Sequence, residues 1–425
     1  MNLVSKKGMV MTRAAGSGSR TALTTLAIFR RGLHLYGLGS LRDTVRVLLV
    51  EPDYYTRYPP LGLLKLAALE RQRGNEVELV RGNVETLRPE QIYVTSLFTY
   101  SWRAVHSAVR FYKERYPDVK VSVGGIYASL LPEHAATSGA DEVHAGLYPE
   151  TEDLMPAWDL IPDWDGSILF ASRGCVRKCG FCSVPKLEGR PQDFKYGIRH
   201  LIWPGHRKVI LWDNNILGNA NWRAIFDELA EIGLEVDFNQ GLDARFITDE
   251  VVEKLKKLRF YNLRLAYDYK GIRPFVERAL ERLDAGGIDK RKVVLYTLYN
   301  YIDDPEDFKT RVEEIVQWGA TSYPMRFEPL TSLTKNAFVS PKWTAEQLQQ
   351  VAAARRVMGF AGAFPPYEYL VHKLRRARSF ETAFRLRKRR VHGPSVRPRR
   401  TSIPRYGGDL DWRMQKQRNL RLGRR

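Results

Sequence analysis

The stretch Ile168-Leu-Phe-Ala-Ser172-Arg173-Gly-Cys175-Val-Arg-Lys-Cys179-Gly-Phe181-Cys182 sets a short apolar strand directly before a loop that holds every cysteine of the chain. Three cysteines in 425 residues, all between Cys175 and Cys182, cannot form a disulfide framework, and they point to a reducing, cytoplasmic compartment. Three thiolates at C-x3-C-x2-C spacing can hold three irons of a [4Fe–4S] cluster and leave the fourth iron without a protein ligand. An open iron suits a redox reaction in which a small molecule chelates the cluster. The competing reading is a zinc knob completed by His200 or His206. Zinc sites more often pair cysteines as C-x2-C, and neither histidine lies in a recognisable second half-site.

Working outward, strand candidates begin near Ile168, Lys208, Glu235, Asn262, Lys292 and Thr321, about one βα unit apart each time. Helical spacing covers Trp222–Ile232, Asp249–Leu258, Pro274–Leu283 and Pro305–Gly319, with N-caps expected at Thr248 and at Asp303 or Asp304. Six sequential βα units fit an open or partial (β/α) barrel, where sites gather at the C-terminal ends of the strands. The cysteine loop follows the first strand and so belongs to that rim. Ala345–Met358, capped by Thr344, reads as a further helix. Upstream, Val45–Glu51, Glu76–Val80, Ile92–Phe98, Val119–Val123 and Glu142–His144 read as strands, with helices at Leu61–Arg71 and around Arg103–Arg115. Such alternation implies a doubly wound parallel sheet. The expected class is therefore α/β: an N-terminal Rossmann-like sheet, a partial (β/α)6 barrel and a basic C-terminal extension. The expected boundaries are a basic, poorly ordered leader over 1–40, the sheet domain over 41–150, the barrel over 160–335, a helical extension over 336–372 and a basic tail over 373–425.

The formal net charge of +20 is concentrated at the ends. Residues 373–425 carry 19 Lys and Arg against Glu381, Asp409 and Asp411, and residues 1–46 carry 8 against Asp43, so the span between them is near neutral. A basic tail is an electrostatic footprint for nucleic acid or another polyanion, or a solvated segment without a specific partner, and both readings stay open. The clusters Arg387–Arg390 and Arg397–Arg400, with Tyr406 and Trp412, have few interleaved aromatics, so the stacking signature of single-strand binders is weak. No apolar run approaches the roughly 18 residues of a membrane span. The mildly apolar stretch 21–29 lacks the h-region and cleavage site of a signal peptide, although an Arg-rich, acid-poor leader also fits a transit peptide.

The cysteine spacing, with the aromatic Phe181 just before the last cysteine, resembles the radical S-adenosylmethionine (SAM) superfamily. The resemblance implies that Cys175, Cys179 and Cys182 hold a [4Fe–4S] cluster and that SAM chelates the open iron. It implies reductive cleavage of SAM to a 5′-deoxyadenosyl radical that abstracts hydrogen from a substrate, with electrons from a flavodoxin- or ferredoxin-type protein. Arg173, Arg177 and Lys178 would offset the cluster's negative charge. Ile210-Leu-Trp-Asp213-Asn214-Asn215 and Asp237-Phe-Asn239-Gln240-Gly241-Leu-Asp243-Ala-Arg245 are similar to stretches in members with an N-terminal cobalamin (B12)-binding-like domain. On that likeness Phe181, Asp213, Asn214, Asn239, Gln240 and Asp243 contact SAM, and ordinary loop capping by Asn and Asp is the plain alternative. Asp268, in Leu265-Ala-Tyr267-Asp268, stands where many relatives have a Glu-Ser-Gly segment. Arg326, in Pro324-Met325-Arg326-Phe327, would face SAM or an anionic substrate, or pair with Glu328.

Tyr58-Pro59-Pro60-Leu61-Gly62, Thr95-Ser96-Leu97 and Gly124-Gly125 fall at the matching points of a cobalamin-binding-like module, with glycines that permit close approach to a ligand. No Asp-x-His-x-x-Gly motif is present, so cobalamin would bind without a protein axial ligand, or the module would act as a scaffold. With no fourth cysteine, the resemblance excludes the second cysteine-held cluster of methylthiotransferases and of twitch and SPASM enzymes. It also excludes the methyl-carrying cysteines of certain RNA methylases. What remains is a single-cluster enzyme, with cobalamin-dependent methyl transfer as one form. The competing classes are a metal-stabilised nucleic-acid-binding protein and a nucleic-acid-modifying enzyme that uses the basic tail. The substrate cannot be read from the sequence.

Overall fold

β1 (Arg46–Glu51) is buried from Val47 onward, so it needs neighbours on both edges and cover on both faces. It finds them in a five-stranded, wholly parallel sheet with β2 (Glu76–Arg81), β3 (Gln91–Ser96), β4 (Lys120–Gly125) and β5 (Glu142–Val143), ordered β2-β1-β3-β4-β5. β2 lies at an edge and alternates exposed with half-buried residues, as an edge strand does. Parallel neighbours require crossovers, and α1 (Leu61–Gln72) and α2 (Trp102–Arg115) supply two of them. β3 stops at Ser96, short of the expected Phe98, because residues 99–101 already turn into the single 3-10 turn that leads α2. These features come from a computed structural model that describes residues 44–193 and 197–386. The expected leader and the clusters Arg387–Arg390 and Arg397–Arg400, with Tyr406 and Trp412, lie outside the described residues.

Six of the later strands are β6 (Gly166–Leu169), β7 (Lys208–Leu211), β8 (Glu235–Phe238), β9 (Leu263–Ala266), β10 (Val293–Tyr299) and β11 (Thr321–Arg326). They form two parallel three-stranded sheets, β8-β7-β6 and β9-β10-β11. The sheets meet at isolated parallel bridges, Glu235 with Arg259 and Leu242 with Leu265, and a largely buried ion pair between Asp237 and Arg264 crosses the same seam. Intervening helices are α3 (Trp222–Ile232), α4 (Asp249–Lys256), α5 (Arg273–Ala285) and α6 (Pro305–Gln317). Thr248 caps α4 by accepting from Val251 N, and Asp304 caps α6 by accepting from Asp307 N. Asp303, the alternative cap, is instead buried and pairs with the fully buried Arg311 at 2.9 Å.

Thr344 and Gln347 form a capping box at the start of α7 (Ala345–Val357). α8 (Glu368–Arg376) and α9 (Phe380–Phe384) follow, and Trp343, Phe364, Phe380 and Phe384 pack with Phe308 of α6. The five-stranded sheet joins the later strands through Leu61 and Leu64 of α1, which pack with Trp158, Ile168, Phe170 and Ile210. Among the described residues no helix is long and apolar enough to cross a membrane.

Candidate functional site

The cysteine loop starts just beyond β6, where Ser172–Arg173 pairs antiparallel with Gln192–Asp193 and draws the two ends of the loop together. Gly174 enters it with φ +74°, and a Cβ there would stand 2.4 Å from the carbonyl oxygen of Arg190, so only glycine fits. Cys175, Cys179 and Cys182 are free and partly exposed. Arg177 N donates to Cys175 Sγ at 3.3 Å, and Cys182 N donates to Cys179 O at 3.0 Å. Burial pushes the Cys179 thiol up, Asp268 adds to this, and Arg245 opposes it. Burial likewise raises Cys182, against a hydrogen bond from the Val184 backbone, while the other two thiols push it further up.

Three thiols that sense one another on a single loop fit a cluster in which each binds its own iron. A zinc ion would need a fourth donor beside the three thiolates, and the zinc reading loses its histidines. His206 is buried and hydrogen-bonds Ser167 Oγ at 2.9 Å, while His200 pairs with Asp153 at 2.6 Å.

The acids and amides expected at the rim are there, and most are engaged with the loop. Asp213 is buried and accepts from Ala171 N at 2.9 Å and Ser172 Oγ at 2.6 Å, so both of its oxygens fix the chain entering the loop. Burial raises its carboxyl to about 6 against those hydrogen bonds. Asn214 Nδ2 donates to Glu188 Oε2 at 2.8 Å. Asp243 accepts from Arg177 Nε at 3.2 Å, from Arg245 through Nε and Nη2, and from Asn215 Nδ2 at 3.3 Å. Burial works to raise its carboxyl, but Arg245 and Arg177 outweigh burial and hold it below the usual range. Asn215 Oδ1 is buried without a partner among the described residues.

Arg173, expected to balance cluster charge, is instead held between Glu152 and Glu188, and the cation beside Cys179 is Arg245. Arg245 stands in its motif without a role the sequence alone assigns, and Glu152 and Glu188 lie in no motif that would single them out. Asn239 Nδ2 donates to Tyr58 Oη of the first sheet's loop at 2.5 Å, and Gln240 Nε2 donates to Asn239 Oδ1 at 3.2 Å. Asp268 accepts no hydrogen bond from a described residue. Burial raises its carboxyl to about 6, with Arg311 and Arg245 opposing. Phe181 meets Tyr301 edge-on at 5.7 Å, and Tyr301, Phe327 and Phe338 continue the aromatic row. Arg326 Nη2 donates to Asn336 O and Phe338 O, and its Nε lies 4.0 Å from Glu328, so it braces the loop after β11. That loop reaches the first sheet, where Thr99 Oγ1 donates to Ser332 O at 2.6 Å and Trp102 Nε1 to Leu333 O at 3.2 Å.

At the carboxyl edge of the first sheet the expected ligand glycines serve internal packing. Ser96 Oγ donates to Gly124 O at 2.7 Å, and a Cβ on Gly125 (φ +101°) would stand 2.2 Å from Ser96 O. His106 Nε2 and His134 Nδ1 both bond Tyr127 Oη, and His144 Nε2 bonds Leu147 O, so each of the three rings is held through one nitrogen. Tyr55, Phe98 and Ile126, which follow β1, β3 and β4, are exposed there. The strand order reverses between β1 and β3, and ligands of open parallel sheets bind at such a switch point.

No protein-family model matches the chain. A stretch of 210 residues is 27% identical to an uncharacterized methyltransferase of Synechocystis sp., covering 40% of this chain and 39% of that protein. A stretch of 166 residues is 23% identical to the ribosomal protein uS12 methylthiotransferase RimO of Petrotoga mobilis, covering 35% and 37%. The matches thus span less than two fifths of each curated relative's length. Among solved structures, the radical S-adenosylmethionine methyltransferase TsrM of Kitasatospora setae, bound to tryptophan substrate and a SAM analogue, matches with a TM-score of 0.51. It covers 73% of this chain and 77% of its own, at 14% identity, a likeness of fold.

Proposed function

We propose that this chain is a single-cluster radical SAM enzyme that cleaves SAM reductively and abstracts hydrogen from its substrate. The observation that carries the reading is the loop after β6, which holds the chain's three cysteines, free and partly exposed, within eight residues. In this reading the two three-stranded sheets are halves of one partial (β/α)6 barrel over about residues 160–335, and the five-stranded sheet is a cobalamin-binding-like module. A [4Fe–4S] cluster on Cys175, Cys179 and Cys182 supplies the electron that breaks SAM into methionine and a 5′-deoxyadenosyl radical. A flavodoxin- or ferredoxin-type protein would supply that electron.

The chain's own groups have separable tasks. Cys175, Cys179 and Cys182 lose their protons on ligation, against burial that raises two of them. Arg245 and Arg177 share Asp243, which leaves one net positive charge beside the thiolates. Asp268, which accepts no hydrogen bond from a described residue, and the exposed Gln240, held only to its neighbour Asn239 among the described residues, would orient SAM. Phe181, Tyr301 and Phe327 wall one side of the rim with aromatic surface and keep water from it.

Methyl transfer is the second reading. The names of two of the similar proteins support it, and so does the exposed apolar edge formed by Tyr55, Phe98 and Ile126, which suits a flat ligand such as cobalamin without a protein axial donor. Methylthio transfer is not proposed, since three cysteines leave no second cysteine set.

Anaerobic reconstitution with iron and sulfide should give an absorption band at roughly 400 nm. Dithionite and SAM should then yield 5′-deoxyadenosine. The Cys179→Ala variant should lose both, and retention of SAM cleavage in that variant would overturn the proposal. Binding of hydroxocobalamin to the purified protein tests the second reading.

A further inference from the structure

We propose that Glu188 is a positioning residue that clasps the cysteine loop shut, and that a buried ion relay from Lys65 through Glu152 and Arg173 holds it in place. Glu188 follows the short helical turn after Cys182, and its Oε2 accepts from Gly174 N, immediately before Cys175, at 2.7 Å. One hydrogen bond therefore joins residues 14 positions apart and encloses all three cysteines. The same oxygen accepts from Asn214 Nδ2 at 2.8 Å, which ties the clasp to the end of β7. Gly174 has a left-handed backbone, and the nearby Arg190 carbonyl leaves no room for a side chain there, so the N–H that meets Glu188 belongs to a position only glycine fills.

Glu188 Oε1 is oriented by Arg173 Nη1 at 3.1 Å. Arg173 is only 8% exposed, and its guanidinium lies 3.4 Å over the Phe170 ring. Its other edge makes a bidentate pair with Glu152 at 2.8 and 2.9 Å. Glu152 in turn accepts from Lys65 Nζ at 3.3 Å, and Lys65, on α1 of the first sheet, is 4% exposed. Burial works to raise the Glu152 carboxyl, but Arg173 and Lys65 outweigh it, so the acid stays charged. Two cations and two carboxylates alternate from α1 to the residue before Cys175. Removing an end member of such a buried series leaves its neighbour with one opposite charge in place of two and frees it to shift. The relay thus makes the geometry of the cysteine loop depend on a helix of the other sheet.

The inference concerns the loop that the proposed function gives to the cluster, and its test separates the two. In full-length, metal-free protein, the rate of iodoacetamide alkylation at each cysteine is read by mass spectrometry. Glu188→Ala should raise the rate at Cys175 about ten-fold, the factor expected when a hydrogen bond to a charged group no longer keeps the loop closed. Glu188→Gln keeps an acceptor for Gly174 and should stay within about three-fold of the parent protein. Lys65→Met, outside the loop, should accelerate Cys175 in the same direction. After anaerobic reconstitution, Glu188→Ala should also alter the electron paramagnetic resonance line of the reduced cluster, and Glu188→Gln should restore it. Alkylation rates equal to the parent in Glu188→Ala, or equal acceleration in Ala and Gln variants, would overturn the clasp. If the parent protein assembles no cluster, the proposed function falls, while the alkylation result still decides the clasp.

Discussion

Tyr301 Oη stands where a side chain on Gly180 would go, since a Cβ built there lies 2.7 Å from it. The obstacle is the far end of one side chain, not backbone, so Gly180→Ala should cost about 1 kcal/mol. Tyr301→Phe in the same chain should recover most of that loss, and a double-mutant cycle by urea unfolding measures the coupling. Glu51 is a residue whose cost depends on pH. It ends β1 at 7% exposure, and burial raises its carboxyl to about 7 against the attraction of Arg81. Below its unfolded value of 4.5 the acid is protonated in both states and carries no penalty. As pH rises toward 7 the unfolded chain ionises first, so stability falls, and above that range the full penalty is present. Glu51→Gln should therefore stabilise the protein by up to about 3 kcal/mol at about pH 8, and the gain should vanish near about pH 4. Urea midpoints at the two pH values check the sign.

At the scale of elements, α6 shows how one buried cation fixes a helix. Arg311 has no exposed surface, donates to Tyr267 O and Leu298 O, and pairs with Asp303 and Asp307. Arg311→Met would leave the nearly buried Asp303 without its cation and two carbonyls without donors, and should lower stability by about 3–5 kcal/mol in chemical denaturation. α6 itself was legible in the sequence, because Pro305 after an acidic cap and the apolar spacing of Phe308, Val312 and Ile315 announce it. The same holds for the strands whose buried runs set β1, β7 and β10. α8 was not legible, because Lys373, Arg375 and Arg376 mask the two buried positions, Leu370 and Leu374. Nor was the break between β8 and β9, since regular βα spacing says nothing about whether neighbouring strands bond throughout. At the site, spacing placed Asp213 and Asp243 at the ends of strands. Only side-chain direction reveals that they turn inward on the loop, and the pairing of Lys65, Glu152 and Arg173 spans too much sequence to be read from pattern.

At the scale of the whole molecule, the described sheets do not stand apart. They share the apolar layer around Leu64, Trp158 and Phe170, the Asn239–Tyr58 hydrogen bond, and the anchorage of Ser332 and Leu333 on Thr99 and Trp102. Unfolding should accordingly be one calorimetric transition for the described body, and Leu64→Ala, in a fully buried site, should lower that whole transition by about 2–5 kcal/mol. Two separate transitions, with only one of them moved, would show that the sheets melt independently. The shared layer has a further consequence, because Trp158, Trp164, Trp203 and Trp212 all lie in or against it. Four of the nine indoles in the chain sit at this one junction, with Tyr58 edge-on to two of them. The native emission spectrum is thus a built-in optical gauge of the junction, and it would redden when the two sheets part, before any added label or bound ligand reports the event.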